Sequence, residues 1–537
     1  SDVYKRQADM FVNSFINGTD WKNEVTAIDR MAKLTKEDIV AFANKYLKED
    51  NYAVIYKKQG KDPNEKKMTK PEITPIITNR DVTSPFLVEV QESAVKPIEP
   101  VFLDYQKDMS QLKAKSDIPV LYKQNVANDL FQLIYVFDMG NNHDKALGTA
   151  FDYLEYLGTS DMTPEELKSE FYRLACTFYV SPGNERTYVV LSGLNENMPA
   201  AVQLFEKLLA DAQVNKEAYT NMTSDILKAR SDAKLNQGQN FSRLMSFAMY
   251  GPKSPATNLL TEAELTNMNP QELVDRIHNQ NSYKHRILYY GPSSSKDLLA
   301  TINQYHQVPA ALKDIPAGNE YSYLETPVTK VLVAPYDAKQ IYMAQISNLD
   351  KKYDPAIEPI RALYDEYFGG GMNSIVFQEM RETRGLAYSA WASIMPPSYL
   401  KYPYVLRTQI ATQNDKMIDA VTTFNDIINN MPESEAAFKL AKDGLTNRLR
   451  TERIIKGDII WSYINAQDLG QNVDPRIKLY NDIQNMSLKD IVDFQKQWVK
   501  GRTYVYCILG DKKDLELDKL KAVGPIEELT QEQIFGY

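Results

Sequence analysis

Histidine and cysteine usage sets the first limit on the chemistry of this chain. Its 537 residues hold four histidines, His143, His278, His285 and His306, and two cysteines, Cys176 and Cys507. No two histidines stand four residues apart, the spacing that puts two imidazoles on one helical face around a metal. Two cysteines alone build neither a disulfide framework nor a cysteine-type zinc site. His143 lies in the loop Gly140 to Ala146, where a lone histidine reads as a surface residue. His278 and His285 fall in a repeated segment, and no partner is visible for either. The run Gly369-Gly370-Gly371 is not followed by Lys-Ser or Lys-Thr, so it reads as a helix end and close turn rather than a phosphate loop.

The composition narrows the partners. The formal net charge is -9, which argues against a nucleic-acid surface and suits a cavity for neutral or basic peptides. Hydrophobic residues make up 43% and charged residues 25%, the balance of a water-exposed globular chain. No run of about 18 apolar residues is present, so no membrane-spanning helix is expected. A chain of 537 residues exceeds a single core, and several domains are expected. Residues 1–7, read in order as SDVYKRQ, match a translated transposon-type sequencing adapter. The native start is therefore expected further upstream.

Three segments resemble one another: Leu34 to Gly60, Met268 to Gly291 and Met486 to Gly510. Each opens on a capping-box spacing, with Thr35 and Asp38, Asn269 and Glu272, and Ser487 and Asp490. An apolar pair follows in each: Ile39-Val40, Leu273-Val274 and Ile491-Val492. Each ends in a tyrosine-bearing apolar strand, expected at Tyr52 to Tyr56, Arg286 to Tyr290 and Tyr504 to Leu509. Val40 and Val274 are 234 residues apart, and Val274 and Val492 are 218 apart. A pitch of that size means duplicated domains rather than solenoid turns.

The domain plan follows. Residues 8–60 read as the tail of one domain and 61–119, rich in proline, as an extended connector. Residues 120–310 and 320–515 read as two whole domains, with 516–537 as a tail. Each whole domain alternates strands and helices, and the two align on Tyr153 to Gly158 and Tyr364 to Gly369, 211 residues apart. The pattern predicts α+β domains, each a mostly antiparallel sheet with helices packed on it. Expected elements include strands at Leu130 to Phe137, Ala387 to Ile394 and Tyr404 to Ala411, and a short helix at Ser374 to Glu382.

The stretch Gly369 to Ile394, GGGMNSIVFQEMRETRGLAYSAWASI, closely resembles the signature of the last domain of insulinase/pitrilysin-type zinc metallopeptidases. That resemblance implies four homologous α+β domains in two halves joined by a linker, enclosing a chamber for peptides. The domain of residues 120–310 then corresponds to the third and that of 320–515 to the fourth. It also implies that an arginine and a tyrosine seven residues on hold substrate beside the zinc; here these are Arg381 and Tyr388. The local sequence allows them to converge, since Gly385 permits a turn between a helix end and a strand start. Arginine can bind a peptide carbonyl through its planar fork, and a tyrosine hydroxyl can donate to an oxyanion. The plainer alternative is that Arg381 caps a helix C-terminus and Tyr388 only packs. Arg384, four residues from Tyr388, is expected at the surface.

In this family the metal site is H-x-x-E-H on a helix. The matching place in the third domain reads Asp152-Tyr153-Leu154-Glu155-Tyr156. Glu155 keeps the glutamate position, while Asp152 and Tyr156 stand where imidazoles belong. No glutamate occurs between Glu217 and Glu262 to act as the downstream ligand. The expectation is a chain that binds no metal, with zinc confined to a parent protein whose catalytic half lies elsewhere. The implied partners are peptide substrates and that half, on the same polypeptide or as a separate subunit. The implied location is the bacterial periplasm or cell envelope. The alternative is a natural non-catalytic subunit of a heteromeric peptidase.

Overall fold

The computed structural model describes residues 2–50, 52–57, 60, 84–94, 96–338 and 340–537. They divide into two compact units, residues 1–95 and 96–537.

The first unit contains the helices Asp2–Asn17, Trp21–Val25, Ala27–Met31, Lys36–Tyr46 and Pro85–Glu92. Thr35 and Asp38 close the capping box that their spacing predicts. Large apolar side chains such as Phe15, Ile39 and Phe42 stand exposed. The strand expected at Tyr52 to Tyr56 is not formed: residues 52–57 pair with no other strand among the described residues. A strand is held by its neighbours, and none is offered here. Residues 61–83 of the expected connector lie outside the described residues.

The second unit is built on two six-stranded sheets. Sheet one uses β1 (Ser110–Lys113), β2 (Pro119–Gln124), β3 (Leu130–Phe137), β4 (Cys176–Pro182), β5 (Thr187–Leu194) and β6 (Arg286–Gly291), in the order β1-β2-β6-β3-β5-β4. Sheet two uses β7 (Lys330–Pro335), β8 (Gln340–Lys352), β9 (Ser389–Met395), β10 (Pro403–Gln413), β11 (Val505–Gly510) and β12 (Ile526–Glu528), in the order β12-β7-β11-β8-β10-β9. The central and β4/β9 sides are antiparallel, while β2 runs parallel to β6 and β7 parallel to β11. The α+β class and the duplication are both present.

The central strands are apolar on both faces because both faces are covered. On β3, Leu133, Tyr135 and Phe137 face sheet one's own helices, among them Leu147–Leu154, Met198–Asp211 and Gln271–Asn279. Ile134 and Val136 face the other way, onto Ile459, Ile460 and Ile464 of helix Asp458–Asp468 from the second domain. Sheet two repeats the arrangement. Tyr506 and Ile508 face its own helices. Cys507 and Leu509 face Phe241, Leu244 and Ala248 of helix Gln237–Tyr250 from the first domain. The domains thus exchange one helix each. Arg186 fixes the exchange by donating from Nη1 and Nη2 to both oxygens of Asp468 at 2.6 Å.

Three sequence expectations need correction. The connector does not extend to 119: Tyr105 is buried and β1 pairs with β2. The segment 516–537 is not a tail: β12 pairs with β7, and Ile534 and Phe535 are buried. Asn269 and Glu272 do not form a capping box. Pro270 occupies the cap, and the Asn269 side chain accepts from Gln271 N–H at 3.2 Å instead.

Candidate functional site

The segment from Gly369 to Tyr388 folds as a tight succession of turns beside β9. Helix Glu358–Phe368 ends where Gly369 lies against β9, and a Cβ there would stand 2.2 Å from the Ala392 carbonyl oxygen. Only glycine allows that approach. Ser374 caps the next turn, Ile375–Phe377, and the chain then widens into a π-helical turn over Gln378–Thr383. A single helix was expected here. The wider turn accommodates one more residue than an α turn and re-aims the side chains it carries. Gly385, at φ +56°, reverses the chain. Two bonds pin the reversal: Thr412 Oγ1 donates to the Leu386 carbonyl at 2.6 Å, and Lys416 Nζ to the Gly385 carbonyl at 3.0 Å.

This path brings Arg381 and Tyr388 together. The Arg381 guanidinium lies 5.1 Å from the Tyr388 ring centre and 4.9 Å from that of Phe377, with the Glu382 carboxylate at 3.7 Å. Stacking between two rings holds the planar fork without consuming its N–H edges. Tyr388 is 77% exposed, so its hydroxyl is not spent on packing. Arg384 turns away to Glu379 at 3.4 Å and lies at the surface. The arrangement offers an anchored cation and an adjacent phenol to an incoming polar group.

The five-residue counterpart of the metal motif is laid out quite differently. Asp152 lies on helix Leu147–Leu154, and Glu155 is the residue that ends it. Asp152, Glu155 and Tyr156 are exposed. Tyr153 between them is fully buried, donating to the Asn215 carbonyl at 2.6 Å. One phenol and two carboxylates at these places do not fit the imidazole-rich set that zinc requires. Among the described residues no group of three or more His, Cys, Asp or Glu side chains is placed to hold a metal ion. Both cysteines are free and buried.

Two polar clusters escaped the sequence reading: one joins residues far apart along the chain, and the other sits on one helix and closes on the distant Tyr404. In sheet one, His285 Nε2 meets His306 Nε2 at 2.9 Å, and His306 Nδ1 meets Glu206 Oε1 at 2.7 Å. His285 Nδ1 faces the Tyr283 carbonyl at 2.7 Å and must carry a hydrogen. The two Nε2 atoms therefore share one proton, and Glu206 and His306 Nδ1 share another. Burial, then His306, lowers the His285 pKa to about 4. In sheet two, Arg361 binds Glu358 and Asp365 at 2.9 and 2.7 Å, and Tyr404 donates to Glu358 at 2.6 Å. Burial pushes the Asp365 carboxyl up to about 6.

Several known proteins are similar to this chain. Residues 287–445 match the model of the peptidase M16 inactive domain. The non-peptidase homolog YmxG of Helicobacter pylori is 23% identical over 422 residues, spanning 74% of this chain and 93% of that protein. A peptidase M16 inactive domain from Pseudomonas fluorescens superposes with a TM-score of 0.59 at 15% identity, covering 75% of this chain and 98% of that one. The periplasmic protease PqqL from Escherichia coli gives a TM-score of 0.60 at 12% identity, with 90% of this chain lying on 52% of PqqL. No described helix is long and apolar enough to cross a membrane. Residues 287–445 are thus similar to the peptidase M16 inactive domain, and the fold of the chain is that of solved M16-type proteins.

Proposed function

We propose that this chain is the substrate-binding, chamber-closing half of a zinc-dependent peptidase, and that Arg381 and Tyr388 are its contribution to the reaction. The stacked pair carries this reading: its guanidinium is fixed between two rings, and an exposed phenol stands beside it. Arg381 would hold a peptide carbonyl through its fork. Tyr388 would donate its hydroxyl to the oxyanion that forms at the scissile carbonyl. Zinc would supply the activated water from a partner half, because Asp152, Glu155 and Tyr156 do not fit it.

The segment 8–60 would be the tail of a preceding domain of the same fold. Ile39 and Val40 are exposed, whereas their repeat counterparts Leu273, Val274, Ile491 and Val492 are buried against a sheet. A sheet supplied by the partner half would cover them. A periplasmic or envelope location is supported by the likeness to PqqL.

A second reading has its own support. The match to YmxG extends over 93% of a protein described as a non-peptidase homolog. The chain would then be a natural non-catalytic subunit beside a separate histidine-bearing protein. The coding sequence upstream of Ala8 separates the two: an in-frame H-x-x-E-H supports the first, and a long frame without it supports the second. For the role of the pair, Tyr388→Phe in the complete peptidase should lower kcat by about tenfold or more and leave KM within about twofold. An unchanged kcat removes Tyr388 from the reaction.

A further inference from the structure

Each sheet ends on an edge strand in the same topological place, β4 in sheet one and β9 in sheet two. The free edge of β9 is occupied. Asp365 Oδ1 accepts the Ile394 N–H at 2.9 Å, and Arg361 Nη1 donates to the Ile394 carbonyl at 3.1 Å. Gly369 lies directly against Ala392, two residues earlier. An incoming strand finds those positions closed.

The free edge of β4 is open. Its parity is set by two bonds: Leu194 N–H donates to the Ala175 carbonyl at 3.2 Å and Gly183 N–H to the Arg186 carbonyl at 2.7 Å. Thr177, Tyr179 and Ser181 therefore bond inward to β5, while Phe178 and Val180 point their N–H and C=O groups outward. The Pro182 carbonyl accepts from Asn141 Nδ2 at 3.4 Å. Among the described residues nothing bonds to the outward groups of Phe178 and Val180. The covering helix explains the difference. Glu358, Arg361 and Asp365 correspond, 211 residues earlier, to Leu147, Ala150 and Leu154. These three are buried and have no side-chain polar atom to offer an edge.

β4 also lacks the usual protection. Its seven residues, Cys-Thr-Phe-Tyr-Val-Ser-Pro, carry no charge, and the proline is last. The Phe178 ring packs 4.9 Å from both Phe171 and Phe205.

We propose that β4 is a strand-addition site, where an extended peptide joins sheet one as a seventh strand through the backbone of Phe178 and Val180. This rests on the peptide-binding reading above and names the edge that does the binding. Two open residues span only about 7 Å, enough for a short peptide stretch and far below what a stable dimer buries. Side chains at alternate peptide positions would lie beside the half-buried Phe178 and Val180, or beside Thr177 and the exposed Tyr179. Uncharged β-branched residues suit both rows.

The test titrates the whole chain with a fluorescein-labelled, lysine-flanked octapeptide of alternating valine and threonine, read by anisotropy. Val180→Pro removes one outward N–H and leaves the β5 ladder intact; Val180→Ala keeps the N–H. Binding should weaken about tenfold or more in Val180→Pro and stay within about twofold in Val180→Ala. A copy of the peptide N-methylated at every residue should bind wild-type chain at least about tenfold more weakly, which decides the matter even if the proline variant misfolds. No binding, equal binding of the methylated peptide, or a dimer abolished by Val180→Pro overturns the proposal. Binding lost in Arg381→Ala but kept in Val180→Pro sinks the edge assignment and spares the peptide reading. The reverse pattern, with unchanged turnover in Tyr388→Phe, spares the edge and sinks the Arg381–Tyr388 role.

Discussion

The two sheets of residues 96–537 share the order of five strands, helix exchange and a tyrosine-bearing helix end, yet they spend their buried polar groups in different places. Sheet two puts Glu358, Arg361 and Asp365 on the helix beside its edge strand, where Arg361 and Asp365 seal β9 at Ile394 and Glu358 accepts from Tyr404. Sheet one has Leu147, Ala150 and Leu154 there, and keeps its charge deeper, in Glu206, His306 and His285. The same backbone plan thus yields one closed edge beside a displayed cation and one open edge beside an apolar helix. The duplication fixed the architecture, and substitutions on one helical face divided the work.

Transplanting a charge breaks the comparison most severely. Leu154→Asp buries a carboxylate with alanine where sheet two has Arg361, and should cost about 4 kcal/mol in denaturant unfolding. The converse, Asp365→Leu, strands the Ile394 N–H and one face of Arg361, while Glu358 still neutralises the cation. It should cost roughly 2–3 kcal/mol. Equal costs would mean that the two helix faces are interchangeable.

Acid should separate the sheets. The His285 pKa is lowered from 6.5 to about 4, so folded chain refuses a proton that unfolded chain takes. Its stabilisation is present above 6.5 and is lost as pH falls through about 4. The Asp365 pKa is raised from 3.8 to about 6, so folded chain holds a proton that unfolded chain releases. Its stabilisation is present below 3.8 and is lost as pH rises through about 6. Moving from pH 6.5 to pH 4 should reduce amide protection in β3 and β6 relative to β8 and β9. Hydrogen exchange corrected for intrinsic rates reads this directly, and parallel changes in both sheets would refute it.

The smallest effect compares the repeat caps. Ser487→Ala removes the bond from the Ser487 hydroxyl to the Asp490 carboxylate at 2.7 Å and should cost about 1 kcal/mol. Asn269→Ala removes only the bond to Gln271 and should cost about 0.5 kcal/mol.

Much of this was legible in the sequence. The 211-residue alignment of Tyr153 with Tyr364 pointed to the duplication that the two six-stranded sheets display, because repeated periodic elements survive as local pattern. Arg381 and Tyr388 were singled out through a contiguous signature, and the turn at Gly385 made their closeness foreseeable. Three features were not legible, for physical reasons. The Asp458–Asp468 and Gln237–Tyr250 helices look like ordinary amphipathic segments, and nothing local says that each covers the other domain's sheet. The Glu206, His285 and His306 cluster joins residues up to 100 apart, and His285 and His306 were read singly. The open edge of β4 is a property of what fails to cover it. Its sequence traces are the uncharged run Cys176 to Pro182 and the apolar Leu147, Ala150 and Leu154 on the neighbouring helix.

The central claim is that this chain handles peptides without holding the metal. The most direct measurement combines zinc quantification of the purified chain with binding and hydrolysis of one unstructured peptide. The account predicts substoichiometric zinc, measurable binding that weakens in Arg381→Ala, and no cleavage. One tightly held zinc per chain, or cleavage that a chelator stops, would contradict it.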